Sequence, residues 1–97
     1  MKYLNDILQE LGISKVRLAK YLGVSRQMVY NYLELPSLNK WPKEKKLSLL
    51  KLLDIEDGDD ETISSIKVTT DYLMEVEDRL NQGLKDNLQG EFLDFNY

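Results

Sequence analysis

The sequence predicts an all-α fold of four to five helices, with an acidic helix at its C-terminal end. Three observations predict it. Apolar residues recur at helical spacing in successive segments of the chain. Ser, Gly and Pro stand where helices should begin and stop. Residues 15–33, KVRLAKYLGVSRQMVYNYL, form two short amphipathic helices joined by a Gly-Val-Ser turn.

The first helix is expected over Lys2–Leu11. Leu4, Ile7, Leu8 and Leu11 fall at i, i+3, i+4 and i+7, and Gly12 ends the run. The second is expected over Lys15–Leu22, with Ser14 as its N-cap. Ala19 sits mid-helix, where a steep helix crossing leaves room for little more than a methyl group. Gly23 follows at the helix end, where the turn favours φ > 0. Val24 can point back to the core, and Ser25 caps a third helix over Arg26–Leu33. Val29, Tyr32 and Leu33 form its buried stripe. Gln27, Tyr30, Asn31 and Glu34 take the opposite face.

Pro36 stops any continuation, and Pro42 starts a fourth helix where a missing N–H costs nothing. Leu47, Leu49, Leu50, Leu52 and Leu53 give that helix a wide apolar face, and Ile55 closes the core behind it. Residues 55–61, IEDGDDE, mark a boundary. Asp57, Asp59 and Asp60 lack the ligand spacing and final Glu of a calcium loop, so a solvated linker is expected, with acids that favour the next helix start. A long fifth helix is expected over Thr62–Leu88, with a break near Gly83. Ile66, Leu73, Val76, Leu80, Leu84 and Leu88 lie near one stripe. This stripe is expected to pair two copies of the chain, and the alternative is that it packs back on its own domain. The tail, residues 90–97, carries Phe92, Phe95 and Tyr97 among acids, either disordered or docked on a neighbour. This divides the chain into residues 1–57, a helix-turn-helix domain, and residues 58–97, an acidic segment for dimerisation or a partner.

Composition narrows the functional classes. The chain has no Cys and no His, which removes disulfides, thiolate chemistry, and the usual general base and zinc ligand. No phosphate loop and no evident carboxylate pair is present, so an enzyme is not expected, nor any metal or cofactor. No apolar run approaches the ~20 residues of a membrane span, and the polar start MKYLNDILQE is unlike a signal peptide. A soluble cytoplasmic protein is the class expected. The net charge of −4 conceals a split. Residues 1–53 hold ten Lys/Arg and four Asp/Glu, a net +6, whereas residues 54–97 hold three and thirteen, a net −10. A polyanion-binding half beside an acidic half is the expected reading.

Residues Leu18, Ala19, Leu22, Gly23, Val24, Ser25, Val29 and Tyr32 stand at the spacing of a known motif. On these residues the segment resembles the helix-turn-helix of the lambda-repressor-like (Xre-type) DNA-binding family. The similarity extends more weakly from Leu4 to Ile55. The loop ELPSLNKWP is longer than the family's usual one and lacks its Gly. The resemblance implies a compact lambda-repressor-like domain that binds double-stranded DNA as a transcriptional repressor, commonly a homodimer. It implies base contacts at the positions of Arg26, Gln27 and Asn31, and a phosphate contact at that of Lys15.

The residue types fit these roles. Gln and Asn amides can bond an adenine edge bidentately, and Arg26 can reach a guanine or a phosphate. Tyr30 shares the exposed face and could meet a thymine methyl or a phosphate. Arg17, Lys40 and Lys43 are further phosphate candidates, as is the helix N-terminus at Ser25. In KEKK, residues 43–46, only the first Lys is expected to bind phosphate, the rest being a solvated face. Trp41 reads as a core or loop anchor. The competing reading is a protein-interaction module whose acidic helix binds a protein partner.

Overall fold

The computed structural model describes residues 2–56 and 58–91, the side chains of residue 60 and of residues 87–91 aside. The chain is all-α, with no strand among the described residues. Its helices are α1 (Lys2–Glu10), α2 (Lys15–Leu22), α3 (Arg26–Glu34), α4 (Lys43–Leu53), α5 (Asp60–Ser64) and α6 (Thr70–Glu91), with a 3-10 turn at Leu38–Lys40 between α3 and α4.

The predicted caps form. Ser14 Oγ accepts from Arg17 N–H at 3.1 Å and Ser25 Oγ from Met28 N–H at 3.1 Å. Gly23 takes φ 72°, and Val24 N–H returns to the Ala19 carbonyl at 3.0 Å. The α2–α3 turn is therefore closed by its own backbone, with Gly supplying the left-handed residue. Ala19 is buried beneath it. Asp54 adopts the same left-handed conformation after α4, φ 56°. Its N–H and that of Ile55 return to the carbonyls of Lys51 and Leu50.

The fifth helix departs from its expected form. In place of one run over Thr62–Leu88 there are two helices, and the break lies at residues 65–69 rather than near Gly83. The reason is local. Asp59 Oδ1 caps α5 by accepting from Thr62 N–H at 2.7 Å, and Thr69 Oγ1 accepts from Tyr72 N–H at 3.1 Å at the start of α6. Between these two caps the β-branched run at Ile66, Val68 and Thr69 disfavours helix. Gly83 lies inside α6 because the Tyr21 ring of α2 rests against the α6 backbone there. A Cβ at residue 83 would stand only 2.6 Å from Tyr21 Cδ1. The tail residues Phe92, Phe95 and Tyr97, and the Leu88 side chain, lie outside the described residues.

The C-terminal stripe packs on its own domain, the second of the two expected arrangements. Val76 and Leu80 are 1% and 0% exposed within a single chain. Ile66, Leu73 and Leu84 are partly buried against the same cluster. α6 packs on both α2 and α4, and α5 packs on α1 with Ile63 buried. The stripe meets its own domain because α2 and α4 offer it an apolar bed, which covers Val76 and Leu80 fully and Ile66, Leu73 and Leu84 in part. Nor does a boundary at residue 57 divide the core, since Leu49, Leu52 and Leu53 share one cluster with Ile63, Val76 and Leu80. Leu47 departs in the other direction: it is 53% exposed, on the outer side of α4.

Polar contacts fasten α6 as well. Arg79 Nε donates to the Leu52 carbonyl at 2.8 Å, and Tyr72 Oη to the Leu53 carbonyl at 2.7 Å. These carbonyls belong to the last turn of α4, which has no helical N–H left to satisfy them. Arg79 also places a positive charge at the negative end of the α4 dipole. Burial raises the phenol pKa of Tyr72, with Arg79 opposing. A phenol is already protonated at neutral pH, and the shift keeps the hydroxyl a donor to higher pH still.

Candidate nucleic-acid interface

The outer face of α3 follows from its inner one. With Val29, Tyr32 and Leu33 in the core, the helical period turns Arg26, Gln27, Tyr30 and Asn31 outward, and all four are exposed. Gln27 Nε2 donates to Asn31 Oδ1 at 3.3 Å, one helical turn on. The two amides thus form one linked polar pair. Glu34 is exposed at the end of the same helix.

The C-terminal end of α3 is held from the following loop. Trp41 is 4% exposed, and its indole N–H donates to the Tyr32 carbonyl at 3.0 Å. Its ring lies 5.0 Å from that of Tyr32, tilted by 33°. Trp41 is the expected loop anchor. The loop sets where α3 ends despite having no Gly.

The candidate phosphate residues separate into groups. Lys15, first residue of α2, places its Nζ 5.5 Å from the centroid of the Tyr30 ring. It also lines a 390 Å³ groove with Asn5, Gln9, Ser14 and Leu33. Lys40 and Lys43 are exposed, in the 3-10 turn and at the first residue of α4. Ser25 acts as the α3 cap.

Arg17 belongs elsewhere. Its guanidinium makes two hydrogen bonds to the Glu77 carboxylate, at 3.1 and 3.0 Å, and a third to Asn81 Oδ1 at 3.2 Å. Lying two residues beyond Lys15, it projects from another side of α2, toward α6, and this removes it from the phosphate set. The KEKK run is likewise only partly a solvated face. Lys45 Nζ donates to the Leu22 carbonyl at 2.7 Å, closing the end of α2, and Lys46 Nζ donates to Asn39 Oδ1 at 2.7 Å.

The Arg17–Glu77 pair has a pH consequence. The two guanidinium bonds favour the charged carboxylate and hold the Glu77 pKa below its ordinary value. An unfolded chain binds that proton at higher pH than the folded one. The pair's contribution is therefore present above the ordinary carboxylate range and lost as pH falls through the lowered folded value. Both side chains are 32% exposed, so solvent screens the pair. Glu77→Gln is expected to destabilise the fold by about 1 kcal/mol at neutral pH. The difference from the native chain should close at an acid pH below that lowered value, where the carboxylate has taken up its proton. Denaturant titration at both pH values checks this, and an equal deficit at both would contradict it.

Sequence reasoning missed Lys45, Tyr72, Glu77 and Arg79 as fastening residues. Their partners are mostly backbone carbonyls exposed by helix ends, and a single sequence does not reveal which distant helix end a donor meets. No helix of the described residues is long and apolar enough to cross a membrane. Among the described residues no group of three or more acidic side chains is placed to hold a metal ion. Comparison with family models, with curated proteins and with solved structures finds no match to this chain.

Proposed function

We propose that this protein binds double-stranded DNA in a sequence-specific manner, reads the major groove with α3, and regulates transcription as a repressor of the lambda-repressor-like kind. The observation that carries the reading is the outer face of α3. It presents Arg26, Gln27, Tyr30 and Asn31 side by side on a helix whose two ends are fixed by Ser25 and Trp41. Major-groove readout needs this combination: donors and acceptors near a helix N-terminus, on a helix that does not shift when it docks.

The roles divide by chemistry. Gln27 and Asn31 read base edges, and Arg26 reaches a guanine or the adjoining phosphate. Lys15, Lys40 and Lys43 hold the backbone and fix the register. The excess of positive charge in residues 1–53 draws the domain to the duplex, while the acidic outer side of α6 disfavours approach from that side. Readout of this kind requires no cofactor.

Two substitutions test the division. Gln27→Ala should weaken binding to the preferred site by about 1–3 kcal/mol and leave binding to random duplex unchanged. Lys15→Ala should weaken both alike and lower the salt slope by about one unit. Selection of bound duplexes from a random library, followed by titration at several salt concentrations, gives both quantities. Equal loss on preferred and random DNA for Gln27→Ala would refute its base-reading role. A selected motif with two-fold symmetry would further report that two chains bind together, at half-sites about 34 Å apart.

A further inference from the structure

We propose that Tyr30 is a positioning residue for Lys15 and not a base contact. The proposal rests on the DNA-binding reading above and refines the roles within that face.

Tyr30 stands on the outer face of α3 and is 43% exposed. Its ring is reached by the Lys15 ammonium, 5.5 Å from the centroid, from the first turn of α2. An ammonium above a phenol face is attracted by the negative potential of the ring. The contact therefore bridges the two helices at their outer edge, where nothing in the core determines side-chain positions. The linked amides on α3 do not serve this purpose, since Gln27 and Asn31 bond to each other within one helix.

A bridge of this kind matters because lysine is a flexible residue. A free ammonium on four rotatable bonds keeps most of its rotamer entropy, part of which is lost whenever it grips a phosphate. Seating it on the ring before DNA arrives removes part of that loss. It also sets the distance between the phosphate grip and the base-reading amides one helix away. With the ammonium on its face, the ring is committed to α2. Ser14 fixes the N-terminus of α2 from below, so the Lys15 stem starts from a defined backbone.

Three variants decide the matter, each measured on the preferred duplex and on a random duplex. Tyr30→Leu frees the ammonium before DNA arrives and should weaken both complexes by roughly three-fold, the part of the lysine rotamer freedom that the ring had already removed. Tyr30→Phe keeps the ring and should recover most of that loss. In a Lys15→Ala background, Tyr30→Leu should cost nothing further, because the two residues act as one unit. Tyr30 is exposed, so thermal midpoints of the variants should match that of the native chain, which separates positioning from folding. A Tyr30→Leu loss confined to the preferred duplex, or one that adds fully to that of Lys15→Ala, overturns the proposal and leaves the DNA reading standing. A native chain that binds no duplex at low salt overturns the DNA reading, and this proposal with it.

Discussion

A chain shortened to residues 1–57 should not fold, although it contains the whole helix-turn-helix. The shortened chain loses Ile63, Val76 and Leu80, which are 1%, 1% and 0% exposed in the full structure. Each fully buried aliphatic side chain contributes about 1.5–3 kcal/mol. Three of them amount to roughly 5–9 kcal/mol, comparable to the entire stability of a small domain. The cut also releases the Leu52 and Leu53 carbonyls, which Arg79 and Tyr72 now satisfy, and it uncovers the apolar sides of α2 and α4. The expected result is a weakly helical circular dichroism spectrum without a cooperative thermal transition. A sharp transition within about 5 °C of the full chain would show residues 1–57 to be self-sufficient.

Trp41→Ala should produce the largest single-residue effect. The indole is buried, stacks on Tyr32 and caps the last turn of α3 through the Tyr32 carbonyl. Removing a buried Trp side chain costs about 3–5 kcal/mol. In a domain of this size that should lower the thermal midpoint by about 12 °C or more. Trp41→Phe keeps most of the packing and loses the hydrogen bond, so it should cost much less, about 1 kcal/mol for the bond. Because Trp41 holds the end of α3, under the proposed DNA reading Trp41→Ala should also weaken binding to preferred and random duplex alike. A loss of less than about 1 kcal/mol by denaturant titration would mean that the loop does not anchor this helix.

The first four helices were legible because their information is local. Ser14, Gly23 and Ser25 act within four residues of where they stand, and the apolar periods of α1 to α3 identify the buried faces directly. The split between α5 and α6 was harder to read. Thr69 falls inside the single helix expected over Thr62–Leu88, whereas its hydroxyl caps a new one. Gly83 looked like a break because its purpose lies on α2, in the ring of Tyr21. Leu47 looked like core because its neighbours Leu49 and Leu50 are core. A Leu-rich helix shows too little polarity contrast for its period to indicate which side is covered.

The outer face of α3 was legible for the same reason as its inner face, since one period determines both. The role of Arg17 was not. Its partner lies 60 residues away on a helix whose stripe was compatible either with a second chain or with this one. The acidic character of α6 pointed away from the basic half, and the bond to Glu77 shows that one of those acids is used to join the halves.

That interval of 60 residues also bears on how the protein forms. Loop-closure entropy must be overcome before contacts between α2 and α6 repay it, so the step that completes the domain is a late, non-local one. A nascent chain that has exposed only α1 to α3 carries Arg26, Gln27, Tyr30 and Asn31 on a helix too short to persist alone. Competence for any partner of α3 therefore arrives only when the C-terminal helix has emerged and docked. Docking of α6 thus governs when the outer face of α3 becomes ordered, while α6 itself contributes nothing to that face.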